Sequence, residues 1–157
     1  MSKTDETGIK VVARNRKARH NYFVEESLET GVILLGSEVK SLRDGHVQIA
    51  DSYARFENSE LWLIKLHINP YPNATHENHE PERARKLLLH KHQIRRLMVK
   101  TREAGFTLIP LSIYFKNSHA KVELGLCRGK KQYDKREELR KQDHAREIER
   151  ARRNARD

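Results

Sequence analysis

The chain has 157 residues, enough for one domain with a single core, and 34% of them are charged. Its 32 Lys and Arg against 22 Asp and Glu leave a net charge of +10, a sign that favours a polyanionic partner such as nucleic acid. No apolar run reaches the roughly 18 residues of a membrane span, MSKTDETGIK is neither a signal nor a transit peptide, and the single cysteine, Cys127, leaves no disulfide framework; the expected setting is cytoplasmic.

Residues 1–14 are expected to be a flexible leader. After them come NRKARHNYF (Asn15 to Phe23), with a faint strand signal over Asn21 to Val24, then a turn signal at Thr30-Gly31 and a strand candidate in GVILLGSEVKSL. Asp44-Gly45 marks a turn, DSYARF a strand, and Glu57-Asn58 another turn. In ELWLIKLHI the alternation predicts Trp62, Ile64, Leu66 and Ile68 on one face. The polar segment from Asn69 to Arg85 holds three of the four prolines and reads as a loop over the surface. Ile94, Leu97 and Met98 form the apolar stripe of a helix that Gly105 ends. Two further alternating runs, Leu111-Ile113-Phe115 and Val122-Leu124-Leu126, flank a turn at Lys116-Asn117. Several short strands with one lone helix predict a small antiparallel barrel over 15–129, a fold that removes its own sheet edges.

Residues 130–157 follow a different grammar. From Arg128 to the end there are 12 basic and 7 acidic side chains, half of the net charge, and only Leu139 and Ile148 are large aliphatics. Opposite charges three and four apart, such as Glu137 with Lys141 and Glu149 with Arg153, make the segment helix-competent, and Asp134 with Glu137 suits a cap. It has no core to join, so alone it is expected to be disordered.

The candidate chemistry is thin. HENHE (His76 to Glu80) puts its histidines three apart between prolines, not four apart on a helix, so a solvated loop is expected in place of a metal site. His90 and His92 read as helix-start polar residues or phosphate contacts, two residues apart and facing different ways. Cys127 ends an alternating strand and reads as a buried structural thiol. Instead, basic residues interleave with aromatics and hydrogen-bonders in NRKARHNYF, GSEVKSLRDG and RARKLLLHKH. That mixture suits unpaired RNA, with cations on phosphates and planar groups on bases. A ribosomal structural protein with a basic extension and a metal-dependent enzyme at HENHE are the competing classes.

In order along the chain, NRKARHNYF, GSEVKSLRDG, DSYARF, RARKLLLHKHQIRRL, LSIYFKNSHAKVELGLCRGKKQYDKR and the charged tail resemble one family, the SsrA-binding proteins (small protein B, SmpB). The resemblance implies a mostly β fold, an OB-like antiparallel barrel with a few helices, and a tail that becomes helical on the ribosome. It implies no catalytic residue, no metal and no cofactor. The implied partners are the tRNA-like domain of tmRNA, alanyl-charged and carried with elongation factor Tu, and the 70S ribosome at its small-subunit decoding centre and mRNA channel, with no membrane. The implied role is to bring tmRNA into the A site of a stalled ribosome, the tail standing in for codon–anticodon pairing. By motif, Asn15, Glu29 and Leu88 match the family's tmRNA-binding positions, and Arg16, Lys17, Arg19, His20, Tyr22, Lys40, Arg43, Arg85 and Lys86 are the accompanying candidates. A carboxylate at Glu29 can accept from base amino or imino groups; Leu88 either packs on a base or sugar or belongs to the core. Lys130, Lys131, Tyr133, Asp134, Lys135 and Arg136 fall on the tail motif that acts at the decoding centre. Some relatives carry His at the position of Tyr133; either ring can stack, but only His can also become cationic near neutral pH.

Overall fold

A computed structural model describes residues 8–74, 78–103 and 105–156. In chain order these form β1 (Ile9–Arg14), α1 (Arg16–Asn21), β2 (Tyr22–Val32), α2 (Gly36–Arg43), β3 (Val47–Gln48), β4 (Tyr53–Glu57), β5 (Glu60–Ile64), β6 (His67–Ile68), β7 (Arg85–Leu88), α3 (Lys91–Arg102), β8 (Phe106–Lys116), β9 (His119–Gly129) and α4 (Gln132–Asn154). The strands β8, β4, β5, β7, β2 and β9 pair antiparallel in that order, and a β8–β9 pairing closes the ring. Long β8 carries β9 on one side; on the other it meets β4 at Leu108 and β1 along Ser112 to Lys116. Two-residue turns with positive φ at Asn58-Ser59 and Asn117-Ser118 set the hairpin registers, the backbone form that matches strand twist.

Inside the ring lie Leu61, Leu63, Leu87, Leu108, Ile113, Val122, Leu124 and Leu126, with Leu42 from α2 and Leu97 from α3 completing the packing. Each such side chain contributes about 1.5–3 kcal/mol by leaving water. The two helices serve different ends of β8: Arg43 of α2 lies over Phe115, whereas Arg96 of α3 pairs with Glu26, whose strand neighbour Leu126 is level with Leu108. A smaller cluster of Ala18, Ile109, Leu111 and Cys127 lies apart from the main core and seats α1.

Several expectations change. Residues 9–14 of the expected leader are β1, paired with β8 across a bulge between Val11 and Ala13, with Val12 and Ala13 against the core; residues 1–7 lie outside the described residues. GVILLGSEVKSL is not one strand: β2 ends at Val32 and α2 begins at Gly36, because the Glu38 carboxylate reaches back to accept from the Leu35 N–H at 2.8 Å and Leu42 turns into the core. Thr30-Gly31 is no turn but mid-sheet, and the glycine is there because a Cβ would come within 3.2 Å of the Leu88 Cβ on the next strand. The buried face of ELWLIKLHI is Leu61, Leu63, Leu66 and Ile68, with Trp62 and Ile64 on the other side of β5. Lys65, at φ +60°, breaks the alternation and returns Leu66 to the interior. The helix at α3, with Leu97 buried and Gly105 at φ +86°, and the β8 and β9 strands stand where the pattern puts them, except that a bulge between Pro110 and Ser112 takes Leu111 off the face of Ile113 and Phe115 and onto the α1 side.

Candidate RNA interface

The outward residues of β7, β2, β9 and β8 form cross-strand rows. Leu88 pairs with Gly31, Gly31 with Lys121 and Lys121 with Tyr114; one row along, Glu29 pairs with Glu123, Glu123 with Ser112 and Ser112 with Arg14. Two carboxylates directly opposite disfavour each other, and each is met by a hydroxyl: Tyr114 donates to Glu29 at 2.5 Å and Ser112 to Glu123 at 2.9 Å. The Tyr114 hydrogen bond, helped by Lys116 at 3.5 Å, holds the Glu29 carboxyl below its usual range, while burial first and Glu29 second raise the phenol of Tyr114. Glu29 is therefore an ionised acceptor, fixed in place and still 39% exposed. Beside it opens a hollow of about 360 Å³ lined by Glu29, Gly31, Leu88, His90, Gln93 and Lys121. Leu88 is 47% exposed there, so it is a surface residue and not core.

Towards the Cys127 end of the same face lies α1. Asn15 starts it, its side-chain oxygen accepting from the Ala18 N–H at 3.0 Å while its amide donates to the Pro110 carbonyl at 2.9 Å and its backbone N–H to Leu111 at 2.8 Å. Ala18 drops onto Leu111 and Cys127, over Gly125, where a Cβ would meet Leu111 at 2.9 Å. Arg16, Lys17, Arg19 and His20 are then left exposed, and Lys17 meets Asp51 in a surface pair at 2.8 Å. Tyr22 is half-buried against the α1 seat and shares a second hollow with Lys17 and Tyr53. On α2, Lys40 lies over Tyr71 at 5.6 Å and Arg43 over Phe115 at 4.5 Å, outside the hollow beside Glu29.

Three candidate contacts are corrected by burial. Asn15 is 2% exposed with its side-chain oxygen and amide each bonded to backbone, so its place in this structure is to shape α1. Arg85 is fully buried: it donates to Glu38 at 2.5 Å, to the Leu66 carbonyl, and to the Pro81 carbonyl at 3.1 Å, while Arg83 holds the other Glu38 oxygen at 2.5 Å. Burial opposes ionisation of Glu38, and the Arg83, Leu35 and Arg85 contacts outweigh it, leaving the carboxyl below its ordinary value. The Lys130 side chain is only 3% exposed, turned onto the Arg19 carbonyl, Glu138 and the Phe23 ring. Lys86, half-buried, pairs with Glu60 at 3.1 Å.

In the tail, Asp134 accepts from the Lys131 N–H at 3.2 Å and so closes the first turn of α4. Lys131 and Arg136 are exposed, Lys135 half-buried, and every residue from Leu139 to Arg156 is exposed; the Tyr133 side chain and its stacking lie outside the described residues. The HENHE loop is not simply solvated: His79 is 6% exposed, its ring nitrogens bonded to Ser37 at 2.8 Å and the Ile68 carbonyl at 2.9 Å, with His76 and Glu77 outside the described residues. Among the described residues no group of three His, Cys, Asp or Glu could hold a metal. His90 precedes α3 in extended backbone, which lays its ring on that of His92 at 5.6 Å, contrary to the expectation that the two face apart. Cys127 is buried, and burial pushes its thiol up to about 11.

The composition of these patches finds a parallel along most of the chain. A family model described as SmpB protein matches residues 12–154. The chain belongs to the SmpB family. An SsrA-binding protein of Carboxydothermus hydrogenoformans is 58% identical over 90% of this chain and 95% of the relative, and one of Geobacter sulfurreducens 53% identical over 92% of this chain and 94% of the relative. A solved structure described as "tmRNA-SmpB: a journey to the center of the bacterial ribosome" matches at 50% identity with a TM-score of 0.65, over 82% of this chain and 94% of that one. This SmpB-family chain thus shares a ring-closed sheet with a relative seen in that setting. Tyr114, Lys116, Lys121 and Glu123 of its outer face are absent from the motif-based candidates. The two-residue turn at Asn117-Ser118 carries the missing signal, since it dictates the Tyr114–Lys121 pairing on the side of Glu29.

Proposed function

We propose that this chain is a non-enzymatic RNA-binding adaptor of trans-translation in the cytoplasm. The outer face of β7–β2–β9–β8, with α1 beside it, binds the tRNA-like domain of tmRNA. Glu29 accepts hydrogen bonds from an unpaired base, Leu88 packs on a base or sugar, and Arg16, Lys17, Arg19 and His20 meet phosphates. Lys40 and Arg43 supply cations from α2. The alanyl-charged RNA arrives with elongation factor Tu at a ribosome stalled with an empty A site. There α4 lies in the vacant mRNA channel in place of codon–anticodon pairing, so the nascent chain is tagged and the ribosome released. Lys131, Tyr133, Lys135 and Arg136 face rRNA at the decoding centre, and Asp134 keeps the helix start formed. The exposed part of the tail, poor in apolar side chains, becomes ordered against ribosomal phosphates and bases.

The observation that carries this reading is the hollow beside Glu29, where an ionised acceptor and an exposed leucine share one surface of a protein of net charge +10. A carboxylate on that face cannot neutralise phosphates, but it can accept from base amino and imino groups. The test is to isolate the tagged full-length chain from its native cells and sequence the RNA with it. One RNA of tmRNA type at stoichiometric amount is the expected result; stoichiometric ribosomal subunit RNA without it overturns the proposal in favour of a structural ribosomal protein.

A further inference from the structure

The short helix α1 ends with carbonyls that have no partner inside the helix, as every helix does. The Tyr22 N–H takes the Ala18 carbonyl. Two of the next three are met by a single residue from far along the chain: Lys130 donates its backbone N–H to the Asn21 carbonyl at 2.9 Å and its ammonium to the Arg19 carbonyl at 3.2 Å. That ammonium also pairs with Glu138, in the second turn of α4, and stands 5.0 Å from the centre of the Phe23 ring. A helix C-terminus, a carboxylate and an aromatic face all favour a cation, which explains how a lysine side chain can be 97% covered, its residual exposure being 3%. Arg128, pairing Phe23 across the strands, adds a second cation over the same ring at 5.8 Å.

Resting on the proposed function, we propose that Lys130 and Glu138 are positioning residues that fix the direction of α4 relative to the RNA-facing helix α1. Among the described residues this cation joins the two functional parts of the molecule, beside the short backbone stretch of Lys130 and Lys131 between β9 and α4. Direction matters because of leverage. The helix from Leu139 to Asn154 extends about 24 Å at 1.5 Å per residue, so a tilt of about 20° at its base moves its far end by about 8 Å, more than the spacing between successive phosphates. Glu138 thereby belongs with the body of the protein, and the projecting tail begins at Leu139.

The test uses the full-length chain in a purified tagging reaction with tmRNA and stalled ribosomes, comparing Lys130→Met, Glu138→Gln, the double variant and Lys130→Arg. Hydrogen exchange at the Val122 to Leu126 amides controls for the barrel, and direct tmRNA binding controls for the first functional step. Each single variant is expected to lower the maximum tagging rate about fivefold to tenfold. The double variant should be no slower than the slower single, because both remove one contact, and Lys130→Arg should restore the rate to within about twofold. Faster exchange at the Lys135 to Leu139 amides is expected in both single variants. Losses that multiply in the double variant, a normal rate for Glu138→Gln, or failure of arginine to rescue would overturn the proposal. Absence of tmRNA binding by the unaltered chain would instead overturn the functional reading on which it rests.

Discussion

Replacing Arg85 by methionine separates a structural arginine from a nucleic-acid contact. The guanidinium joins β7 to α2 through Glu38 and to the β6 region through the Leu66 and Pro81 carbonyls. Methionine keeps most of the stem volume but leaves Glu38, itself fully buried, with Arg83 and the Leu35 N–H and without the cation on its second oxygen. Breaking a buried ion pair by removing one partner costs about 3–5 kcal/mol, and two carbonyls losing their donor push the value to the upper end of that range. At about 2–4 °C per kcal/mol for a chain of this size, the melting temperature should fall by about 10 °C or more. Circular dichroism melts with urea titration measure the loss, and tmRNA binding at a temperature where the variant is folded measures the rest. Affinity should change little, and the slope of log K against log salt should be that of the unaltered protein. A melting temperature within about 2 °C of the original, together with a slope reduced by about one, would refute the reasoning and put Arg85 on a phosphate.

On the outer face, Glu29→Gln keeps an acceptor for Tyr114 but removes the charge that a base donor meets, and should weaken tmRNA binding by about 1–3 kcal/mol by filter binding or calorimetry with the melt unchanged; full affinity would remove Glu29 from the interface. If about five phosphates are neutralised, chiefly around α1, the log-log salt slope should be about −4, at 0.7–0.9 per contact; a flat response would sink the electrostatic part of the proposal. Glu26, Glu29 and Glu38 all titrate below the ordinary 4.5 in the folded chain, so the stability they contribute is present above that pH and is lost as pH falls through their folded values. Urea midpoints should be level from about pH 5 to 7 and drop steadily below about 4.5, and a midpoint that rises on acidification contradicts the ion pairs assigned to them. A chain ending at Leu139 keeps the Lys130–Glu138 contact and every strand, so it should bind tmRNA within about twofold of the full chain yet fail to tag; tagging at the normal rate would remove α4 from the mechanism.

The barrel was legible wherever a period of two ran without interruption. Ile113 with Phe115 and Val122 to Leu126 alternate cleanly, and the Asn117-Ser118 turn joins their strands, but a bulge between Pro110 and Ser112 turns Leu111 to the α1 side of the sheet. Legibility failed where one residue changed the phase. With Lys65 at φ +60°, the aliphatic positions of ELWLIKLHI fit two different faces, and only the positive φ selects Leu61 and Leu63 with Leu66. It failed again where a side chain from elsewhere set the local structure: nothing near Gly36 announces a helix as strongly as the distant Arg83 and Arg85, which hold Glu38 buried in its first turn.

At the interface the residue types were readable and their burial was not. Arg83 and Arg85 are two apart, and Lys130 and Lys131 are adjacent, so composition treats the members of each pair alike as basic residues available to RNA. Tertiary structure separates them. Arg83 keeps 31% of its side-chain exposure while Arg85 keeps none, and Lys131 is exposed while the side chain of Lys130 keeps 3%. The buried members reach distant backbone carbonyls as well as a carboxylate, Leu66 for Arg85 and Arg19 for Lys130, whereas Arg83 reaches the carbonyl of its neighbour Ala84. Carbonyls left over at helix and strand ends must be met by some donor when they are buried, and a long cationic side chain meets them from a distance that sequence spacing does not reveal. Under the proposed function, the basic residues expected to meet RNA are the exposed ones on α1. Arg16 and Arg19 on α1 are exposed, and replacing either by alanine should reduce the salt slope of tmRNA binding by about one without moving the melt.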